Sequence, residues 1–561
     1  MAYVIDPAKL ASLNLRQSDG PTPYEIVMPE GANMAADTVA RHAEKFPDRP
    51  AMVFEDADHN AKIWSFAELE RDATCLAVAL ANLGVGKGDR VAIHTGLRPE
   101  TGLAHLAIYK LGAIAVTLSQ LYGPDTLAHV LNHSEAEIMI TQDAAWERYR
   151  ADIGAFPTLR QVIVVGATTG DELAFDDLLA VDPGEFTPTP TSSDDLALLM
   201  YTSGSTGMPK GMLHGHRILQ SYIPSLSFAF NLDRDDPDAV FWSPADWAWV
   251  GGLLDMLLIS WAFGHTVATS EHRFDAAWSF EFMARRGVTH TFLTPTALKR
   301  MAQVPVPADR WGLKLRVICT GGEPLPGEVL RWAEEDLGVV CNEFYGLTEV
   351  NHLIGNCKAL FEPRQGSMGM AYPGHATTVV DAEGNPLPNG EVGEIVTRDD
   401  DVTQFLGYWK DPGKTADLRL GPWLRTGDLG LRDDDGYFWY RGRIDDLIKS
   451  AGYRIGPAEV EDCLVRHAAV AEAAVVGSPD ADRGAVVKAF IRLAAGHQAT
   501  DELTVELQNH VKSKLAAYKY PREVEYVDKF ELTSSGKINR KELRRLEVER
   551  KAQMNISSCS N

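Results

Sequence analysis

Short runs of β-branched and other apolar residues alternate with longer stretches of helical spacing from about Trp64 to Arg398. The runs Arg90–Ile93, Ala113–Leu118, Glu137–Thr141, Gln161–Val165, Leu196–Thr202 and Leu315–Cys319 read as strands, because short apolar segments rich in Val and Ile suit strands covered on both faces. Between them, Ser65–Leu83 and Pro99–Leu111 carry apolar residues at helical spacing. This alternation predicts layered α/β sheets with helices packed outside. The apolar stretch Val250–Val267 holds Asp255 and His265, several glycines and no flanking basic anchors, so it reads as a buried helix and not a membrane span. Gly84-Val-Gly-Lys-Gly88 ends a helix and enters the strand at Arg90. It is a turn, since a dinucleotide fingerprint needs its glycines after a strand.

After Thr378 the texture changes. The segment Asp381–Gly390 is turn-rich and Glu394–Thr397 follows as a strand, predicting a small β-rich subdomain. The charged segment 441–446 then leads into a unit with a helix at Pro457–His467 and strands at Ala471–Val476 and Val486–Leu493. The expected organisation is a large N-terminal α/β domain over 1–440, a hinge at 441–446, a small mobile α+β C-terminal domain over 447–550, and a frayed polar tail over 551–561. The tail triplet Asn555-Ile-Ser557 matches a glycosylation sequon, which reads as chance in a chain without a secretion signal.

The 561 residues exceed what one hydrophobic core supports. The net charge of −24 argues against nucleic acid and anionic membrane surfaces as partners. An anionic nucleotide would need a local, preorganised site. Met1–Asn14 shows neither a secretory nor a transit pattern, so a cytoplasmic location is expected, without integral membrane association. Self-association is left open. The six cysteines are scattered, with no CxxC pair and no histidines at zinc spacing, and read as reduced thiols.

Tyr201-Thr-Ser-Gly-Ser-Thr-Gly-Met-Pro-Lys-Gly211 follows the strand Leu196–Met200 and precedes a helix from His216. Its small residues Thr202, Ser203, Gly204, Ser205, Thr206 and Gly207 let backbone N–H groups and hydroxyls close around phosphate oxygens, while Lys210 supplies charge. Met208 and Pro209 precede the lysine and no Ser or Thr follows it, so this is not a Walker A loop. A Gly-x-Ser-x-Gly nucleophile elbow is also lacking.

This run resembles the phosphate-loop signature of the adenylate-forming superfamily, which holds acyl-CoA synthetases, luciferases and peptide-synthetase adenylation domains. The resemblance continues in order through Gly321-Gly-Glu-Pro-Leu325, Tyr345-Gly-Leu-Thr-Glu349, Thr426-Gly-Asp428, Gly442-Arg-Ile-Asp-Asp446, Gly452-Tyr-Arg-Ile-Gly-Pro457 and Ser535-Gly-Lys-Ile538. It implies an AMP-forming ligase that joins a carboxylic acid to coenzyme A through an acyl-adenylate, using ATP and Mg²⁺. By resemblance, Gly321, Gly322, Glu323 and Pro324 with Glu343, Phe344 and Tyr345 wall the adenine, and Gly346 and Leu347 also bind ATP. Thr348 binds the α-phosphate, Glu349 with Thr206 holds Mg²⁺, and Asp428 takes the ribose hydroxyls. Arg443 reaches ribose or phosphates, Asp445 is the hinge pivot, and Lys537 bridges carboxylate and α-phosphate during adenylation. Asp428 alone would suit an Asx turn, and Arg443 and Asp445 would suit ordinary linker charges.

The C-terminal unit resembles the medium-chain acyl-CoA synthetases, which implies that Ala451, Gly452, Tyr453, Arg454, Arg483 and Lys512 contact CoA. Surface ion pairs remain the alternative for Arg483 and Lys512. The acyl pocket is expected from Trp247, Trp249, Val250, Gly251, Tyr345, Gly346, Leu347 and His352, although Trp247 and Trp249 would equally suit core packing. Acetate-specific relatives carry a tryptophan at the position of Gly346, so a glycine there is expected to leave room for a longer or bulkier acid. Competing readings are an enzyme that loads a carrier protein and a non-catalytic acyl-nucleotide sensor. No carrier domain fits after Lys537, and a sensor would have no use for the bridging lysine.

Overall fold

The computed structural model describes residues 3–202, 208–305, 312–451, 453–480, 483–532 and 538–558. The chain forms two compact units: Met1–Thr377 with Thr397–Leu424 and Asp435–Tyr437, and Thr378–Val396 with Arg425–Asp434 and Phe438–Asn561.

The first unit is layered α/β. One sheet of eight strands runs in the order Gly407–Tyr408, Lys210–Gly215, Leu196–Thr202, Ile114–Thr117, Arg90–His94, Ile138–Gln142, Gln161–Val165 and Leu173–Ala174. Its middle is parallel, with Val91 beside both Ala115 and Ile138. The edge of interest is antiparallel: Leu196–Thr202 pairs with Lys210–Gly215, which pairs with Gly407–Tyr408. The second sheet contributes Gly369–Ala371, Asn351–Gly355, Val340–Leu347, Val317–Gly321, His290–Phe292, Val240–Trp242, Thr266–Ser270, Pro50–Glu55 and Ala61–Ser65, in that order.

Helices cover these sheets for local reasons. Phe66–Asn82 starts with a capping box in which Glu68 N–H donates to Ser65 Oγ and Ser65 N–H donates back to the Glu68 carboxylate. Such a cap is worth about 1 kcal/mol. Its apolar stripe Leu69, Ala73, Leu76 and Leu80 is buried. Pro99–Lys110 is enclosed all round, and Lys110 survives burial by pairing with Glu70. The apolar stretch from Val250 is helical to Phe263, with a π-helical segment at Leu253–Leu258 and a buried Asp255. No helix among the described residues is long and apolar enough to cross a membrane.

In the second unit, Thr378–Val380, Gly393–Arg398, Trp423–Arg432 and Tyr437–Arg443 follow one another across the sheet. A hairpin of Ile448–Ser450 and Tyr453–Ile455 comes next. Strands Val470–Asp480, Gly484–Leu493 and Glu523–Tyr526 then form a sheet with helices Pro457–Val465, Asp501–Lys514 and Arg540–Ser558. The last helix corrects the expectation of a tail frayed from residue 551, since its backbone is helical through Ser558. It is anchored by buried Glu547, whose carboxylate accepts from Lys488 at 2.6 Å and from Ser478 at 2.7 Å. Breaking such a buried pair costs about 3–5 kcal/mol. Cys75, Cys319, Cys341, Cys357 and Cys463 are free and buried, and burial pushes the Cys357 thiol up to about 12, which fits inert packing residues.

Candidate functional site

In the first unit, the strands on either side of the expected phosphate loop pair antiparallel, with Thr202 opposite Lys210. A strand at Lys210–Gly215 thus lies between that loop and the helix Arg217–Ala229. Ser203, Gly204, Ser205, Thr206 and Gly207 lie outside the described residues. The flanks are held from helix Pro124–Ser134. His133 Nδ1 lies 2.9 Å from the Tyr201 hydroxyl and His129 Nε2 lies 3.0 Å from Pro209 O. The two imidazoles, one turn apart, stack at 5.4 Å.

Strands Val317–Gly321 and Val340–Leu347 run parallel with Thr320 beside Glu343 and Gly321 beside Phe344. This register brings the two expected adenine walls together. Gly321 is required by that closeness, because a Cβ there would sit 2.6 Å from the Phe344 ring and 2.8 Å from its carbonyl oxygen. Side chains pin the loop: Thr296 donates to Glu323 at 2.6 Å, and Leu325 N–H donates to Glu343 at 3.1 Å.

Val340–Leu347 turns back through Thr348, Glu349 and Val350 into Asn351–Gly355, pairing Leu347 with Asn351. Thr348 and Glu349 therefore sit at a tight hairpin tip. Glu349 is held twice from one segment, since its carbonyl accepts from Phe405 N–H at 2.8 Å and its Oε1 accepts from Tyr408 Oη at 2.8 Å. Lys210 Nζ lies 5.5 Å from the centre of the Tyr408 ring. Nearby, Thr403 Oγ1 lies 2.9 Å from Val350 O and 2.7 Å from buried Asp401. Asp401 also takes His375 Nδ1 at 2.8 Å. Burial would raise the Asp401 pKa, but His375 and the Thr403 donors lower it further than burial raises it.

The expected acyl-pocket residues divide. Trp247 is 2% exposed and belongs to the main core. Trp249 is half-buried, edge-on to Tyr122 at 6.1 Å, and its buried Nε1 has no hydrogen-bond partner among the described residues. Val250 and Gly251 open the buried helical stretch. A Cβ on Gly251 would meet the Phe292 ring at 2.6 Å. His352 is enclosed, with Nε2 3.2 Å from Asp255 and its ring 4.1 Å from Phe344 and 4.9 Å from Tyr222. The expectation that Gly346 leaves open space is corrected by the geometry. The pairing slips by one residue between Tyr345 and Gly346, and a Cβ on Gly346 would lie 2.0 Å from Asn351 O. Backbone fills that position, and the bulge is what demands glycine.

In the second unit, Trp423–Arg432 and Tyr437–Arg443 pair Asp428 directly with Arg443. Asp428 is 3% exposed, with Oδ1 3.4 Å from Arg443 Nη1 and 3.4 Å from Tyr440 Oη. Arg443 Nε donates to Asp445 at 3.1 Å. Burial alone would ease the Arg443 proton off, but the two carboxylates hold it more firmly charged than usual. The expected ribose carboxylate, arginine and pivot thus form one ionic cluster. Among the expected CoA residues, Ala451 N–H donates to Arg483 O at 2.9 Å. Tyr453 is exposed and stacks on Tyr518 at 4.2 Å, and Lys512 Nζ lies 4.0 Å from the Tyr520 ring centre. Gly452, the Arg454 side chain and Lys537 lie outside the described residues.

With this geometry in view, the family model for AMP-binding enzymes matches residues 39–409, and the model for the AMP-binding enzyme C-terminal domain matches residues 459–537. The chain belongs to the AMP-binding enzyme family. This AMP-binding enzyme is 34% identical to acetyl-coenzyme A synthetase of Bacillus subtilis (strain 168), covering 92% of the chain and 91% of that protein. It is 35% identical to the mitochondrial acyl-coenzyme A synthetase ACSM4 of Homo sapiens, again over 92% of the chain and 91% of the relative. The crystal structure of the anthranilate CoA ligase AuaEII with anthranoyl-AMP superposes with a TM-score of 0.84 at 28% identity, covering 94% of this chain and 99% of that one.

Sequence reasoning passed over Tyr408, His129 and His133 in this AMP-binding enzyme, and gave Asp255 no partner. The run Gly407-Tyr-Trp409 carries an aromatic signal, but its neighbours come from far along the chain, Glu349 from 59 residues away and Lys210 from almost two hundred. His129 and His133 stand four apart on a helix, a spacing legible in sequence. What they face is not.

Proposed function

We propose that this protein, an AMP-forming acyl-CoA synthetase, activates a short- to medium-chain or bulky carboxylic acid rather than acetate as its main substrate. The first step joins the acid's carboxylate oxygen to the α-phosphorus of ATP with loss of pyrophosphate. In the second, a CoA thiolate attacks the acyl carbon of the adenylate and AMP departs. Neither step needs a covalent enzyme nucleophile, so catalysis rests on positioning and charge.

The observation carrying this reading is the convergence of Lys210, Tyr408 and Glu349 at one edge of the first unit. It supports a phosphate-binding cation beside a metal-binding carboxylate. Glu349 suits Mg²⁺: Tyr408 occupies one carboxylate oxygen, leaving the other for a hard cation that prefers one or two carboxylates plus substrate phosphates. Mg²⁺ would neutralise charge on the leaving pyrophosphate, with Thr206 as second ligand. Thr202, Lys210 and Thr348 would bind phosphates, and Asp428 and Arg443 the ribose. Lys537 would bridge carboxylate and α-phosphate. Ala451, Gly452, Tyr453, Arg454, Arg483 and Lys512 would contact CoA, and 441–446 would act as hinge about Asp445. The preference for a larger acid is supported by likeness to a ligase named for anthranilate. A role in cytoplasmic fatty acid metabolism fits these assignments.

The test is AMP release and acyl-CoA formation with ATP, Mg²⁺ and CoA across carboxylates from acetate to decanoate, with branched and aromatic acids included. CoA-dependent turnover that peaks beyond acetate is expected. A peak at acetate would overturn the acid assignment, and adenylate without thioester would overturn CoA as acceptor. One methylene discriminates by about 1–3 kcal/mol, so neighbouring chain lengths should react in graded fashion.

A further inference from the structure

We propose that Tyr408 is a positioning residue with two separable duties: its hydroxyl aims the Glu349 carboxylate at the metal, and its ring steadies the Lys210 ammonium. The proposal rests on the reading of Glu349 as a metal carboxylate and of Lys210 as a phosphate cation.

Tyr408 is held on every side the argument needs. Its strand pairs with the lysine strand, placing Tyr408 opposite Met212 and Gly407 opposite Leu213. On one flank Leu406 N–H donates to Leu213 O at 2.7 Å, and on the other Trp409 N–H donates to Gly211 O at 2.8 Å. The Tyr408 N–H donates to Thr415 Oγ1 at 2.9 Å, and the Phe405 ring packs edge-on at 5.0 Å. Phe405 in turn binds the Glu349 carbonyl, so phenol and carboxylate are fixed to one another through backbone as well as side chain.

The chemistry follows from the donor count. A carboxylate at a hairpin tip has oxygens only and rotates easily about its last torsion. An O–H donor on Oε1 fixes that torsion, leaving Oε2 for a cation. A phenol suits this place because it donates without adding a charge that would compete with the cation. A ring near the lysine adds a weak attraction for the ammonium at the same time.

The two duties separate in a binding experiment without turnover. ATP affinity is measured by equilibrium dialysis, with no acid and no CoA present, in Mg²⁺ and in EDTA, for the wild type, Tyr408→Phe, Tyr408→Leu, Glu349→Gln and the double variant Tyr408→Phe/Glu349→Gln. Tyr408→Phe removes only the hydroxyl. It should lower affinity in Mg²⁺ roughly tenfold, the scale of a hydrogen bond to a charged group, and leave affinity in EDTA unchanged. Tyr408→Leu should also weaken binding in EDTA, through Lys210. The double variant should bind no more weakly than Glu349→Gln, because the hydroxyl acts only through that carboxylate.

An equal loss by Tyr408→Phe with and without metal, or additive effects in the double variant, would overturn the proposal. So would a wild type whose affinity is the same in Mg²⁺ and EDTA, which removes the metal role of Glu349 but leaves acyl-CoA synthesis standing. Acyl-CoA formation by the wild type reports on the function independently of all these outcomes.

Discussion

At the scale of the residue, Gly346 shows how one position can carry two arguments that separate only in three dimensions. A glycine where acetate-specific relatives have tryptophan invites a reading in terms of volume. Yet the Cβ direction runs into Asn351 O at 2.0 Å, with the His352 Cα at 2.8 Å. Substitution should therefore act on the backbone before it acts on the acid. Gly346→Ala is expected to destabilise the first unit by about 2 kcal/mol, lowering the apparent melting temperature while cutting turnover alike for every acid in a panel. If instead melting is unchanged and preference moves toward acetate, side-chain volume governs after all. The motifs that carry the family resemblance were legible because each is a contiguous run, such as Tyr201–Gly211 or Tyr345–Glu349. Tyr408 was not, because its hydroxyl matters only once Gly407–Tyr408 has paired beside Lys210–Gly215.

At the scale of the element, many strands and covering helices were legible to within a residue or two, but the strand Val470–Asp480 runs four residues past the expected end, and the helix expected over Val250–Val267 stops at Phe263 before a strand at Thr266–Ser270. Ala113–Leu118 was expected where Ile114–Thr117 forms, and Ser65–Leu83 where Phe66–Asn82 forms with Ser65 as its cap. The π-helical segment inside the apolar stretch carries no comparable signal, since periodicity over six residues hardly distinguishes it. The helix Pro124–Ser134 does more than cover a sheet. Its stacked histidines touch Tyr201 and Pro209, on either side of 203–207. Burial first, then His129 and Lys410, lowers the His133 pKa from its usual value, opposed by Glu135 and Asp411. The ring is thus neutral at pH 7 and able to accept from the Tyr201 hydroxyl. Because the folded pKa lies below the unfolded one, this contact is fully present above the ordinary histidine pKa and is lost as pH falls through the lowered folded pKa. KM for ATP should accordingly hold steady down to the ordinary histidine pKa and rise only as pH falls below it, and His133→Asn, which does not titrate, should flatten that rise. A KM profile identical in both proteins would mean the clamp does not reach the nucleotide.

At the scale of the whole molecule, the layered α/β class was legible from alternation, but the order of the strands was not. Nothing local says that Gly407–Tyr408 closes one edge of a sheet begun at Arg90, or that Pro50–Glu55 joins Thr266–Ser270. Those neighbours are chosen by long-range burial, which single-sequence periodicity does not encode. The same scale holds the strongest demand on the mechanism. The first step needs an ammonium between carboxylate and α-phosphate, where like charges crowd. The second needs a path for a thiolate to the acyl carbon, and a lysine bridging the first geometry has no part in it. If the C-terminal unit supplies Lys537 to one step and the segment around Ala451 to the other, the two half-reactions should come apart by mutation. Lys537→Ala should abolish acyl-AMP formation from ATP and acid, by more than about a hundredfold as expected for loss of a preorganised cation. It should convert supplied acyl-AMP and CoA into thioester at close to the wild-type rate. Fluorophores on the two units should report different separations with ATP and with acyl-AMP plus CoA, since one fixed arrangement cannot present both surfaces in turn. Equal loss of both half-reactions in Lys537→Ala, with a single separation throughout, would mean that one static site performs the two steps.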